Sequence, residues 1–308
     1  MTDSRSKTGR VAFVGIGVMG REMARNLAQA GHDVIAYDIV PGAAAALAEH
    51  GVTASASISG AVAGADIVVS MLPDTPQVEM LVHGPDGLLA VPPKGRLFVD
   101  MSTIAPEATR RMGEALLAAS IDMVDAPVSG GPGGARDARL SIMAGGSAKA
   151  YEAALPYLQA MGTTINHVGG PGAGQAVKLC NQLVCALNIQ AICEALSLGR
   201  SFGIDLAQMR EVLKGGSANS WMLDNLGAAM IEGDTSAGFR IDLMMKDLRL
   251  VLDAARQGPV PLPATALVAA QYMEAQAHGE GSNGNQALFR VYDRLAGLEL
   301  RQPSGRAA

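Results

Sequence analysis

Lys178 sits in the segment Gly172-Ala173-Gly174-Gln175-Ala176-Val177-Lys178-Leu179-Cys180-Asn181-Gln182, where glycines precede a long apolar run. A lysine in apolar surroundings near the positive end of a helix loses proton affinity. That suits a general acid/base working near neutral pH. Asn181 follows at i+3 and so shares a helix face with it. A lysine whose stem lies along the helix and whose ammonium reaches solvent fits the same spacing. A second candidate is Ser129-Gly130-Gly131 in Asp125-Ala126-Pro127-Val128-Ser129-Gly130-Gly131. Two glycines behind a serine can turn consecutive N–H groups toward a carboxylate, although a plain strand–loop turn uses the same residues. A third is Phe239-Arg240 through Lys246-Asp247-Leu248, where Lys246 either reaches a cofactor or substrate carboxylate or forms a surface pair with Asp247.

The phosphate chemistry lies nearer the N-terminus. An apolar run, VAFV, enters Gly15-Ile16-Gly17-Val18-Met19-Gly20. Gly15 permits a tight turn, Gly17 lets the backbone approach a pyrophosphate, and Gly20 permits close helix–strand packing. Val18 and Met19 open the helix whose free N–H groups and positive dipole end face the phosphates. A second apolar run ends in Asp38, near the offset expected of a carboxylate that holds ribose hydroxyls. Ile39 and Val40 follow, with no cation for a 2′-phosphate. The expected cofactor is therefore NAD in preference to NADP.

These residues need elements to hold them. From residue 11 to about 170, short β-branched runs alternate with longer Ala-rich ones, the pattern of a mainly parallel sheet with helices on both faces. Strands are expected at VAFVGIG, DVIAYD, ADIVVSML, RLFVDMS, DMVDAPV, LSIMAGG and TTINHV, with helices at VMGREMARNLAQAG and PGAAAALAEHG. Between Gln175 and Leu198 there is no Gly or Pro, so one helix is expected from about 173 to 202. Helices follow at 205–214, 218–231, 240–257, 264–278 and 285–297. The expected fold class is α/β: an N-terminal Rossmann-type doubly wound domain at 9–171, a long interdomain helix, and an all-α C-terminal domain at 172–300.

Bulk properties narrow the function. The formal net charge is −5, which offers no basic surface for nucleic acid or anionic membrane. Cys180, Cys185 and Cys193 all fall in the long helix and read as buried, reduced thiols of a cytoplasmic protein. Five scattered histidines show no ligand spacing, so no metal site is expected. The polar start MTDSRSKTGR does not read as a secretory signal. No membrane span is expected either. The tail RQPSGRAA reads as frayed.

Taken together, these segments resemble the β-hydroxyacid dehydrogenase family from about Val11 to about Leu298. VAFVGIGVMG looks like its N-terminal signature and DAPVSGG like its substrate loop. GAGQAVKLCNQ looks like the start of its catalytic helix, and MKDLRL like its cofactor-side lysine segment. The resemblance implies hydride transfer between NAD(P) and a small hydroxy acid or semialdehyde. Lys178 would be the catalytic lysine, Asn181 would orient the substrate, and Ser129, Gly130 and Gly131 would hold its carboxylate. Leu72, Pro73, Ser102 and Thr103 would line the cofactor cleft, with Phe239 and Lys246 on the cofactor side. A homodimer or homotetramer through the helical domain is implied. Within the family, KLCNQLVCALNIQAICEAL leans towards the tartronate semialdehyde (2-hydroxy-3-oxopropionate) reductases, whereas Asp38 is similar to the NAD-using 3-hydroxyisobutyrate dehydrogenases. A catalytically silent dinucleotide-binding protein would keep the fold without needing Lys178, Asn181 and the Ser-Gly-Gly turn together.

Overall fold

The computed structural model describes residues 9–298. The expectations for the first eight residues and for the tail lie outside them. In chain order the first elements are β1 (Arg10–Val14), α1 (Val18–Gln29), β2 (Asp33–Tyr37), β3 (Val52–Ala54), α2 (Ile58–Val62), β4 (Ile67–Ser70) and α3 (Thr75–His83). Next come β5 (Leu97–Asp100), α4 (Pro106–Ala118), β6 (Asp122–Asp125), β7 (Val128–Ser129), α5 (Gly131–Arg136), β8 (Leu140–Gly145), α6 (Ala148–Gln159) and β9 (Gly162–Gly169). The helical remainder is α7 (Ala173–Ser201), α8 (Leu206–Lys214), α9 (Trp221–Glu232), α10 (Ile241–Gln257), α11 (Pro263–Ala277) and α12 (Phe289–Leu295). The chain divides into two compact units within α7, between Lys178 and Leu179.

The strands of the first unit form one sheet in the order β3-β2-β1-β4-β5-β6-β8-β7, with β9 paired to β8. The pairs from β3 to β6 are parallel, and β8 meets β6 and β7 antiparallel. Strand order reverses between β1 and β4, which is the place where open α/β sheets bind ligands, beyond the strands' carboxyl ends. Side-chain alternation explains why β1 is apolar throughout. Val11 and Phe13 enter a core with Met23 and Leu27, while Ala12 and Val14 enter a second core with Val78, Phe98 and Leu116. A strand covered on both faces needs apolar residues at every position.

Two expectations need correcting here. The run PGAAAALAEHG forms turns and a 3-10 helix at Ala45–His50, not a full α-helix. The glycine that ends it, Gly51, adopts φ +80°. The last predicted helix likewise begins as a 3-10 turn at Asn285–Leu288 before α12. Val52–Ala54 and Val128–Ser129 are strands too short for a periodic signal.

In the second unit, Ala186, Ile189, Cys193 and Leu196 of α7 recur at helical spacing and are buried with Leu223, Met244, Leu248 and Tyr272. Side chains satisfy the free N–H groups at several helix starts. Asp205 accepts from Gln208 N–H at 2.8 Å and Ser220 from Leu223 N–H at 3.1 Å, contacts typically worth ~1 kcal/mol each. No membrane span was expected, yet by length and composition α7 could cross a membrane. Its buried stripe is instead the core of this unit. The thiols are not uniformly buried: Cys193 is, Cys185 is partly so, and Cys180 is exposed. Cys180 lies about 100° around the helix from buried Leu179 and so misses the stripe.

Candidate active site

The turn after β1 has the geometry its glycines suggest. Gly15 adopts φ +98°, and a Cβ there would meet the Met71 backbone at about 3.0 Å or closer. At Gly20 a Cβ would collide with the Gly15 carbonyl, so the close approach of α1 to β1 requires glycine. Around Gly17 the space is open, and no side chain caps the α1 start that follows it. Val18 is exposed and Met19 partly buried beside it. An uncapped helix start behind a glycine with open space fits a dinucleotide pyrophosphate.

Asp38 stands just beyond β2. Its carboxylate accepts Ile16 N–H at 2.6 Å and Val40 N–H at 2.7 Å. The side chain therefore ties the glycine turn to its own loop. A carboxylate has about four lone-pair sites, so these two bonds leave acceptor capacity for ribose hydroxyls. Ile39 and Val40 are exposed and apolar.

After β4, Leu72 is partly buried and Pro73 exposed. Leu72 N–H donates to Ser102 Oγ at 2.8 Å. Ser102 is fully buried, so it sets the position of the Leu72-Pro73 segment, with Thr103 beside it partly exposed. Beneath it, Ser70 Oγ donates to Asp100 Oδ1 at 2.7 Å and Ser102 N–H donates to the same oxygen at 3.1 Å.

Asp125 ends β6 and is buried. Its two carboxylate oxygens accept Gly172 N–H at 2.8 Å and Gln175 N–H at 2.9 Å. Burial pushes its carboxyl up to about 6, against the lowering effect of those N–H groups and helped by the Asp100 charge. β7 then leads from Ser129 into Gly130 and Gly131, at φ +136° and +61°. Two successive residues at positive φ make this a backbone turn that favours glycine twice.

Lys178, three residues after Gln175, is only 6% exposed. It does not take the solvent-seeking course open to most helical lysines. In the second unit, Asn181 Nδ2 donates to Gln182 Oε1 at 2.9 Å, and Gln182 Nε2 donates to Asp247 Oδ2. Lys246 pairs with Asp247 Oδ1 at 2.7 Å. Asp247 is buried, so the pair is not the surface contact its sequence allowed. Phe239 packs against the core of this unit. Sequence reasoning assigned no role to Asp125 or Gln175. The available signal was polar residues inside apolar runs, with Asp125 closing a strand. Among the described residues, no three His, Cys, Asp or Glu side chains are grouped to hold a metal ion.

A doubly wound sheet with a Gly-x-Gly-x-x-Gly turn at its reversal point has the architecture of a dinucleotide-binding domain, and the relatives of this chain make it an NAD(P)-dependent oxidoreductase. Residues 10–169 match the family model for the NAD binding domain of 6-phosphogluconate dehydrogenase, and residues 172–292 match that for the NAD-binding domain of NADP-dependent 3-hydroxyisobutyrate dehydrogenase. The chain is 40% identical to 3-hydroxyisobutyrate dehydrogenase of Pseudomonas aeruginosa, covering 92% of this chain and 99% of that one. It is 38% identical to 2-hydroxy-3-oxopropionate reductase of Escherichia coli, covering 94% and 99%. A solved 3-hydroxyisobutyrate dehydrogenase of Mycobacterium tuberculosis, with L-serine, superposes with a TM-score of 0.85 at 34% identity, covering 92% and 99%. An imine reductase of Pseudomonas sp., at 22% identity and a TM-score of 0.61, shares the fold. The chain belongs to the β-hydroxyacid dehydrogenase family.

Proposed function

We propose that this enzyme is a 2-hydroxy-3-oxopropionate (tartronate semialdehyde) reductase that prefers NADH and uses Lys178 as its general acid/base. The observation that carries the reading is a buried lysine on the first turns of α7, with those turns anchored to the strand that leads into the Ser129-Gly130-Gly131 turn. When bound, the nicotinamide supplies or takes up the hydride. The residues of this chain do the rest. Gly15, Gly17 and Gly20 with the start of α1 receive the pyrophosphate, and Asp38 receives the ribose hydroxyls. The 129–131 turn holds the substrate carboxylate with backbone N–H groups. Lys178 gives its proton to the carbonyl oxygen as it becomes an alkoxide, and in oxidation the neutral amine takes that proton back. Asn181 orients the substrate, and Lys246 serves the cofactor side.

The choice of substrate rests on the likeness of the segment KLCNQLVCALNIQAICEAL, with Gln182 in it, to the reductase branch of the family. Oxidation of 3-hydroxyisobutyrate is the second reading. It is favoured by Asp38 and by the likeness to the Pseudomonas dehydrogenase at 40% identity. Assays with tartronate semialdehyde and methylmalonate semialdehyde, each with NADH and NADPH, separate the two. A kcat/KM higher for the methyl substrate would sink the first reading. Lys178→Ala should lower kcat by about 10²–10⁴-fold with cofactor binding kept; a variant holding over half its turnover removes Lys178 from the mechanism. We also infer assembly as a homodimer or homotetramer through the helical unit, where Leu198, Phe202, Val212 and Trp221 are exposed. A monomeric mass by light scattering would refute it.

A further inference from the structure

The first turn of α7 borrows its cap from a distant strand. A helix normally satisfies its leading N–H groups with a side chain just before it. Here the acceptor comes from 47 and 50 residues away, with Asp125 taking Gly172 N–H and Gln175 N–H. The packing around it leaves little slack. A Cβ on Gly145 would meet Asp125 Oδ1 and Gly174 N at 2.6 Å, and one on Gly174 would meet the Asp125 carboxylate at 2.9 Å. Gln175 extends the attachment. Its Nε2 donates to Ser102 O at 2.8 Å, and its Oε1 accepts Ile104 N–H at 3.1 Å. Ser102 in turn receives Leu72 N–H. One helical turn is thus tied to the ends of three neighbouring strands, β4, β5 and β6. Lys178 follows Gln175 by three residues, about 4.5 Å along the axis. In the other direction along the chain, the Asp125 backbone continues into β7 and Ser129.

We propose that Asp125 is a positioning residue that sets Lys178 relative to the Ser129-Gly130-Gly131 turn, with Gln175 carrying the same constraint to the Leu72–Ser102 segment. The proposal rests on Lys178 being the proton donor of the family reaction. A substrate held by its carboxylate at residues 129–131 receives that proton at an oxygen a fixed distance away. One residue, through its backbone on one side and its carboxylate on the other, fixes that distance. Its pair of acceptor oxygens cannot be reproduced by an amide, which would turn an NH2 toward one of the two N–H donors.

The test compares Asp125→Asn and Gln175→Met with the wild type on three readouts: kcat at saturating substrate, NADH affinity by fluorescence, and the rate at which trinitrobenzenesulfonate labels Lys178, followed by peptide mass. Asp125→Asn is expected to lower kcat about 10–100-fold, since a small misplacement of a catalytic group has that effect. NADH affinity should stay within about threefold, and Lys178 labelling should rise at least about fivefold as the turn opens. Gln175→Met should show the same pattern more weakly. Unchanged labelling overturns the proposal whatever kcat does. A loss of NADH affinity in proportion to kcat also overturns it, because Asp125 would then support the whole cleft. If Asp125→Asn does not fold, Gln175→Met decides on the same readouts. Labelling does not depend on what Lys178 does in catalysis. Turnover retained in Lys178→Ala therefore refutes the acid/base reading while leaving the positioning claim to the labelling result.

Discussion

Lys246 and Asp247 form an ion pair of 2.7 Å in which the lysine side chain is 16% exposed and the carboxylate 2%. The other carboxylate oxygen receives the Gln182 amide, and Gln182 receives Asn181. A buried carboxylate that loses its cation is left uncompensated. Lys246→Met should therefore destabilise the protein by about 3 kcal/mol. Urea unfolding measures this, and adding Asp247→Asn should recover part of the loss, since the two residues are coupled. Fully additive losses would mean that the pair is not a unit.

Gly17 and Gly20 should separate binding from folding. Gly17 has open space where a Cβ would go, whereas at Gly20 a Cβ strikes the Gly15 carbonyl. Gly17→Ala should leave stability within about 0.5 kcal/mol and weaken NADH binding about tenfold, because the methyl occupies the pyrophosphate's approach. Gly20→Ala should cost about 2 kcal/mol through overpacking. Thermal melts and fluorescence titration test both, and equal melting losses in the two variants would contradict the assignment.

Asp38 should control the choice of cofactor. Asp38→Asn keeps an acceptor for Ile16 N–H or Val40 N–H and removes the charge facing a 2′-phosphate. The NADPH-to-NADH ratio of kcat/KM should rise about tenfold or more. A ratio that does not move would place cofactor choice elsewhere.

Asp125 should give stability a pH dependence of defined sign. Its carboxyl is pushed up to about 6 by burial, above the value of about 3.9 in an unfolded chain. The folded state therefore holds this proton more tightly. The contribution is full below pH about 4 and is lost as pH rises through about 6, a change on the order of 3 kcal/mol. Urea midpoints of the wild type should fall relative to Asp125→Asn between pH 4.5 and 7.5. A difference between the two proteins that is flat with pH would refute the shift.

Much of this molecule is written locally. The glycines at 15, 17 and 20, the carboxylate at 38 and the apolar run around Lys178 each announce themselves through neighbours in sequence. Turn conformation, strand ends and helix starts depend on residues a few positions apart. The strands β1, β2, β4, β5 and β6 and the break to an all-helical second unit follow from periodicity in the same way. Tertiary structure alone decided which polar residues act together. Asp125 meets Gly172 and Gln175, Gln175 meets Ser102, and Gln182 meets Asp247, across separations of 47 to 73 residues. No local pattern encodes such pairs, because a buried polar group takes whatever partner the packing brings to it. The short 3-10 turn at Ala45–His50 and the exposure of Cys180 were hidden for a related reason: composition names a residue's preference, and only the packed helix face decides whether it is met.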